Sequence, residues 1–362
     1  MGNELKNTYT PDYAIHPGEI LEETLEARRM KKSDFAERCG LSAKEVSQII
    51  HGNSLIAPKT AIQFERVLNV SANIWNNLAA AYRLHQAREE DKKALEKGIN
   101  WVKKFPLKEL IVKGYIEKPE NDVDAVQKLL DFLGIGSVDA WEDLLKKKQM
   151  QVAYRRSPSF TSDPHSVTAW LRAGEIIADG CECKPFKRTK FKNALHDIRR
   201  LTLDPPEKFV QMMEKCLAET GVVLAFVPEF RKTRLSGATR WINSNKALIM
   251  LSLRHKTDDH FWFTFFHEAS HILLHGKKEI FIDDDDILNS LKEKEADSFS
   301  ANFLIPENKY KIFVGRNRFQ KLDIMHFSKK IGVAPGVVVG RLQHDKYISY
   351  TWHNIFKRSF EF

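Results

Sequence analysis

The stretch from Phe265 to His275 holds residues that could do chemistry. His267 and His271 are four residues apart, so on a helix they share one face, one turn apart. Both imidazoles can then reach one ion at about 2.0–2.1 Å. Glu268 stands beside the first histidine and can take a proton from a water that zinc has made acidic. Chance alone would place this pattern in about 3% of chains of this composition. The setting argues against chance. The three polar groups interrupt a segment otherwise made of Trp262, Phe263, Phe265, Phe266, Ile272, Leu273 and Leu274. Buried without partners they would cost several kcal/mol, and a metal removes that cost.

A zinc that catalyses needs a third protein ligand and an open position. The best supplier is the segment Glu293 to Phe299, where Ala296, Phe299, Ser300 and Phe303 recur at spacings of three and four. Glu295 borders that stripe more closely than Glu293, so Glu295 is the expected third ligand and Glu293 the second choice. Asp297 reads either as an acceptor for a ligand histidine or as a solvated acid. His275 lies one turn beyond His271, and a histidine so placed is more often structural than a ligand. The acid run Asp283–Asp286 has poor calcium-loop spacing and reads as an exposed loop. Cys181 and Cys183 lack a partner pair at zinc-finger spacing.

The elements that must position these residues fall into three regions of a 362-residue chain. Residues 12–90 read as short helices broken at Lys31–Ser33, Gly40, Gly52–Pro58 and Asn69–Ser71. Residues 91–205 read as mostly helical, from helix-like spacing at Trp101, Phe105, Leu110 and Ile111 and again at Leu129, Leu130, Phe132 and Leu133. Residues 206–362 change period. Val222–Val227 and Ala247–Leu253 are β-branched or apolar runs, followed by apolar helices at Trp262–Leu274 and Glu293–Leu304. The expected fold is therefore multidomain and mainly α, with a helical head, a helical middle and a C-terminal α+β domain.

The net charge is +9, split as −1 over residues 1–90 and +5 over each later region. A basic chain suits an anionic partner, yet the excess avoids the head. No apolar run approaches membrane length, the first ten residues lack a signal-peptide core, and the four cysteines are too scattered for a disulfide framework. A cytoplasmic protein with reduced thiols is expected.

Residues 31–51 carry a second pattern. Ala36 is small where two helices must touch, Gly40 suits the turn, and Val46 and Ile49 are apolar and three apart. This is the spacing of a helix-turn-helix. Ser42 to Glu45 forms a capping box that starts the second helix. Its N-terminal part would enter the major groove of double-stranded DNA, so Ser42, Lys44, Glu45, Ser47 and Gln48 are the candidate base-facing residues. Gln48 can pair with adenine and Lys44 can donate to guanine or phosphate, while Asn53 and Lys59 are phosphate candidates. An acid at Glu45 must accept from cytosine or turn away from the phosphates. Phe327 to Leu342 echoes this pattern weakly and reads as a helical cap ahead of a second DNA contact.

Residues 15–86, from Ile15-His16-Pro17-Gly18-Glu19 through Asn73-Ile74-Trp75, resemble the XRE-type domain of HigA-family antitoxins. Residues of about 216–345 resemble the ImmA/IrrE metallopeptidases. The resemblance rests on Ser236-Gly237-Ala238, on Phe261-Trp262-Phe263-Thr264 leading into His267-Glu268 and His271, on Glu295-Ala296-Asp297-Ser298-Phe299, and on Leu304-Ile305-Pro306. It implies a five-helix DNA-binding head and a zincin-like C-terminal domain. It also implies zinc at His267, His271 and a downstream Glu, with Glu268 catalytic, in a family associated with cleaving repressor-like proteins. Ser300 stands where that family usually has Ala. The HigA likeness implies a homodimer that binds its operator and neutralises a cognate toxin. Two functions follow. One is a DNA-binding regulator with a zinc endopeptidase acting on a protein partner. The other is a non-catalytic antitoxin and repressor whose metal site is structural or sensory.

Overall fold

The computed structural model describes residues 14–146, 163–252, 254, 256–275, 281–284 and 291–359. Their contacts divide into two compact units, Met1–Gly98 and Ile99–Phe362.

Among the described residues the first unit holds five helices: α1 (Pro17–Ala27), α2 (Lys32–Cys39), α3 (Ala43–Ile50), α4 (Pro58–Leu68) and α5 (Ala72–Lys97). Leu21, Phe35, Ala36, Val46, Phe64 and Trp75 fill its core. The ring of Phe64 stands 5.0 Å from Phe35 and 5.5 Å from Trp75. Gly40 ends α2 at φ +67, a left-handed turn that glycine adopts without strain. The capping box is present in full. Glu45 N–H donates to Ser42 Oγ at 3.1 Å, and Ser42 N–H donates to the Glu45 carboxylate at 2.7 Å. Gly18 lets α1 lie against the end of α3, because a Cβ there would stand 2.4 Å from the Ile49 carbonyl oxygen.

The second unit begins with the helices α6 (Ile99–Val102), α7 (Leu107–Val112), α8 (Asp122–Leu133) and α9 (Val138–Lys146). Then come α10 (Pro164–Gly180), α11 (Arg188–Arg200) and α12 (Pro206–Ala218). A four-stranded sheet follows, built from β1 (Val222–Phe226), β2 (Leu235–Asn243), β3 (Lys246–Leu251) and β4 (Phe281–Asp284) in the order β1-β3-β2-β4. β1 and β3 are parallel, while β2 is antiparallel to both of its neighbours. The strand β2 is one that the apolar runs do not announce. Glycine, threonine and arginine break its alternation. Asp283 and Asp284 lie in β4, so half of the acid run expected as a loop is strand, while Asp285 and Asp286 fall outside the described residues.

Helix α13 (Asp258–Leu274) packs on β2, β3 and β4, and α10 packs on β1, β2 and β3. Gly174 of α10 meets Met250 of β3, and Gly237 of β2 meets α13. These two strand positions have opposite parity in the β2–β3 register, so the two helices cover opposite faces. The Trp170 indole on α10 donates to the Val227 carbonyl at 2.8 Å.

The unit closes with α14 (Leu291–Leu304), α15 (Glu307–Val314), α16 (Lys321–Ile331) and α17 (Pro335–His344). The pair α16–α17 turns through Gly332 at φ +70, as its sequence suggests. It packs against the first turn of α13. Val337, Val338, Val339 and Leu342 are buried, and Gly336 and Gly340 lie against Asp258 and Asp259 of α13.

The residues after α17 return to the start of α13. Arg358 N–H donates to Asp258 Oδ1 at 3.1 Å, and Lys357 Nζ pairs with Asp259 Oδ2 at 2.6 Å. Burial pushes the Asp258 carboxyl up to about 6, against the opposing Arg358 hydrogen bond. The folded value lies above the unfolded one, so folding takes up a proton between about pH 4 and pH 6. Stability from this group is full below that window and is lost as pH rises through it. Asp258→Asn keeps the shape of the protonated acid without that loss. We expect the difference in melting temperature, variant minus wild type, to be several degrees more positive at pH 8 than at pH 4, checked by thermal unfolding at both.

Candidate metal centre

Helix α13 is buried on nearly every side, as an apolar sequence of seventeen residues demands. Its buried polar residues include His267, Glu268 and His271, which are 3%, 0% and 1% exposed. The two histidines face each other with Nε2 atoms 3.1 Å apart. Glu293 Oε2 from α14 stands 3.0 Å from His267 Nε2 and 3.5 Å from His271 Nε2. Ligands at about 2.0–2.1 Å from one ion, in tetrahedral directions, lie about 3.3–3.4 Å apart. The three donors fit that spacing. Two imidazoles and one carboxylate form a donor set suited to zinc, with one position left for water or substrate.

The charge states suit a cation as well. Burial pushes the Glu293 carboxyl up, but its hydrogen bonds and charge interactions with His267 and His271 outweigh this and hold it at about 2. Burial lowers the His271 value below that of a free imidazole, against the pull of Glu293, which favours the neutral ligand form. His267 Nδ1 lies 2.9 Å from Asp297 Oδ1. A proton on Nδ1 donated to that carboxylate leaves the Nε2 lone pair for the metal. Asp297 therefore has the acceptor placement, the first of its two readings.

Glu295 is not at the centre, which corrects the expectation from sequence. Its side chain is 62% exposed and reaches His275 Nε2 at 3.2 Å. The buried stripe of α14 runs through Ala296, Ser300, Ala301 and Leu304, whereas Phe299 and Phe303 are only partly buried. Weighting the two phenylalanines turned the inferred face toward Glu295. Glu293 precedes Ala296 by three and Ser300 by seven, so it extends the true stripe by one turn. His275 does not join the trio. Its Nδ1 lies 2.9 Å from His271 Nδ1. Among the described residues Cys181 and Cys183 do not join a metal-donor cluster.

Thr239 is a residue of the centre that no sequence motif marks. Its hydroxyl sits 2.6 Å from Glu268 Oε2 and 3.0 Å from the Glu268 carbonyl oxygen, so it can donate to either. Two strand positions away, Gly237 has no room for a side chain. A Cβ there would lie 2.7 Å from Glu268 Oε1. The only sequence signal was the small-residue step Ser236-Gly237-Ala238. Ser300 is fully buried and donates to the Phe263 carbonyl at 2.8 Å, tying α14 to α13.

In the head, Lys44, Asn53 and Lys59 are exposed, and Ser47 and Gln48 are half-buried at the surface of α3. Ser42 and Glu45 are engaged with backbone N–H groups in the capping box. That hydrogen bonding holds the Glu45 carboxyl below its usual value. As placed, the Glu45 carboxylate serves the cap.

The pattern of the IrrE N-terminal-like domain matches residues 225–343, and that of the helix-turn-helix family matches residues 21–75. Virulence-associated protein I of Dichelobacter nodosus is 34% identical over 83 residues, which span 23% of this chain and 76% of that protein. The uncharacterized HTH-type transcriptional regulator YddM of Escherichia coli is 27% identical over 73 residues, 20% of this chain and 78% of that protein. The Pseudomonas aeruginosa antitoxin HigA with higBA promoter is 32% identical, covering 24% of this chain and 94% of its own, at a TM-score of 0.22. No helix among the described residues is long and apolar enough to cross a membrane.

Removing Glu293 should release the metal. Glu293→Ala is expected to weaken zinc binding by more than about a hundredfold, beyond the loss typical of outer partners. Competition with a chromogenic chelator measures it, and unchanged affinity would sink the trio.

Proposed function

We propose, for a chain that belongs to the helix-turn-helix family through its N-terminal domain and carries an IrrE N-terminal-like peptidase domain, a DNA-binding regulator that hydrolyses a protein partner. The observation that carries the peptidase half is the donor trio His267, His271 and Glu293 with Glu268 buried beside it. When bound, zinc supplies Lewis-acid polarisation and makes water a nucleophile near neutral pH.

The residues of the chain do the rest. His267 and His271 hold the cation from one helix face and Glu293 from the facing helix. Glu268 takes the proton of the attacking water on a carboxylate oxygen and passes it to the departing amine. The Thr239 hydroxyl donates to Glu268 Oε2 and fixes the carboxylate. In the head, Lys44 and Gln48 read base edges, and Asn53 and Lys59 hold phosphates of operator DNA. A homodimer would present two such helices to two half-sites.

A second reading keeps the DNA-binding head and makes the metal structural or sensory in a HigA-like antitoxin that neutralises a toxin. The deep burial of both histidines and Glu268 favours it, since a peptide needs access.

Glu268→Gln separates the two. It keeps an oxygen for Thr239 and leaves the three metal donors intact. Zinc content should be unchanged, while cleavage of proteins encoded beside this chain falls by about 10²–10⁴-fold. If regulation in cells is the same for wild type and variant, the peptidase reading fails. For the head, Gln48→Ala should lower preference for operator over random DNA by about 1–3 kcal/mol without changing the melting temperature. Equal operator preference of the two proteins in a gel-shift titration would sink the groove assignment.

A further inference from the structure

We propose that His275 and Glu295 form a relay that fixes His271 in the tautomer able to bind metal. This deepens the metal-centre reading and rests on it. It gives a role to two residues that the donor trio leaves aside.

The geometry is a line of polar atoms leading from the surface inward. Glu295 Oε2 lies 3.2 Å from His275 Nε2, His275 Nδ1 lies 2.9 Å from His271 Nδ1, and His271 Nε2 faces His267 Nε2 and Glu293. The outer end is a half-solvated carboxylate, whereas the side chains of His275 and His271 are 4% and 1% exposed.

A neutral imidazole carries one proton, on one nitrogen or the other. Between two neutral rings, the 2.9 Å contact of the Nδ1 atoms needs one donor and one acceptor, which leaves two arrangements. In the first, His275 carries its proton on Nε2 and donates it to Glu295. His275 Nδ1 then accepts from His271 Nδ1–H, and the His271 Nε2 lone pair points at the metal position. In the second, His275 Nδ1–H donates to His271 Nδ1. The His271 proton then sits on Nε2 and blocks it as a ligand, while the His275 Nε2 lone pair faces the Glu295 carboxylate. Two acceptors at 3.2 Å repel. The Glu295 carboxylate therefore selects the first arrangement and acts on the metal through two rings. Asp297 does the same for His267 through one hydrogen bond. Both ligand histidines are thus held from behind by carboxylates of α14, directly at one and through His275 at the other.

The relay is tested in the full-length protein by zinc affinity, using competition with a fluorescent chelator. Glu295→Ala and His275→Ala should each weaken zinc binding by about 10–100-fold, as outer partners of metal ligands do. The double variant should be no weaker than the weaker single, because both changes break one line. Glu295→Gln retains an oxygen that accepts from His275 and should return affinity to within about fivefold of wild type. Two-bond nitrogen–proton spectra of the metal-free, histidine-labelled protein give a second readout. They should show His271 protonated on Nδ1 in wild type and Glu295→Gln, and a tautomer mixture in Glu295→Ala. Glu295 is exposed, so its variants should fold. Wild-type affinity and an unmixed tautomer in Glu295→Ala overturn the relay, as do losses that add in the double variant. A wild type that takes up no zinc refutes the metal centre, and the tautomer spectra then decide the relay alone.

Discussion

His267, Glu268 and His271 lie on a helix enclosed by apolar side chains, where an imidazole or a carboxylate without partners costs about 2 kcal/mol or more. The sequence forces this position on them. Their neighbours Phe265, Phe266, Ala269 and Ile272 are buried in the core of the same unit, and a helix cannot turn out three residues among them. The surrounding elements must therefore bring polar atoms inward. Glu293 and Asp297 come from α14, Thr239 comes from β2, and His275 comes from the end of α13 itself.

Bringing those atoms close requires small residues at the contacts. The helix approaches β2 near enough for the threonine hydroxyl to reach Glu268 only because Gly237 has no side chain. On the other side, Ser300 packs with no exposure and gives its hydroxyl to the Phe263 carbonyl. An alanine would pack in that space but would donate nothing. Helix α17 closes on the first turn of α13 through Gly336 and Gly340, against Asp258 and Asp259, and Lys357 and Arg358 then cover those acids. Helix α13 is thus clamped at its start by charge and along its length by small-residue contacts. The rigidity that a three-donor centre needs comes from these contacts.

Sequence periodicity reveals some of this and hides the rest for identifiable reasons. The two histidines and Glu268 are readable because i, i+4 spacing fixes a shared face whatever the tertiary structure. The head is readable because a small residue, a glycine turn and a capping box are local requirements, and all three occur. The third donor is not local. Its identity depends on the rotation of α14, and a shift of the inferred stripe toward Phe299 and Phe303 exchanges Glu293 for Glu295. Large aromatics pull such a reading because they are apolar, yet at the edge of a core they stay partly exposed. Thr239 was beyond reach for a different reason. Its partner lies 29 positions away across a strand whose alternation is broken.

The charge distribution bears on how the two domains divide their work. The head carries −1 while the rest of the chain carries +10. Counterion release scales with the number of phosphates neutralised, so a near-neutral head gains little non-specific affinity from it. The one acid of α3, Glu45, is drawn back to the Ser42 N–H, and Lys44 is left exposed beside it. A head of this kind, acting as a DNA reader, must draw on base contacts and on paired half-sites more than on bulk charge. Its occupancy of DNA would then be sensitive to anything that alters the pairing of two chains.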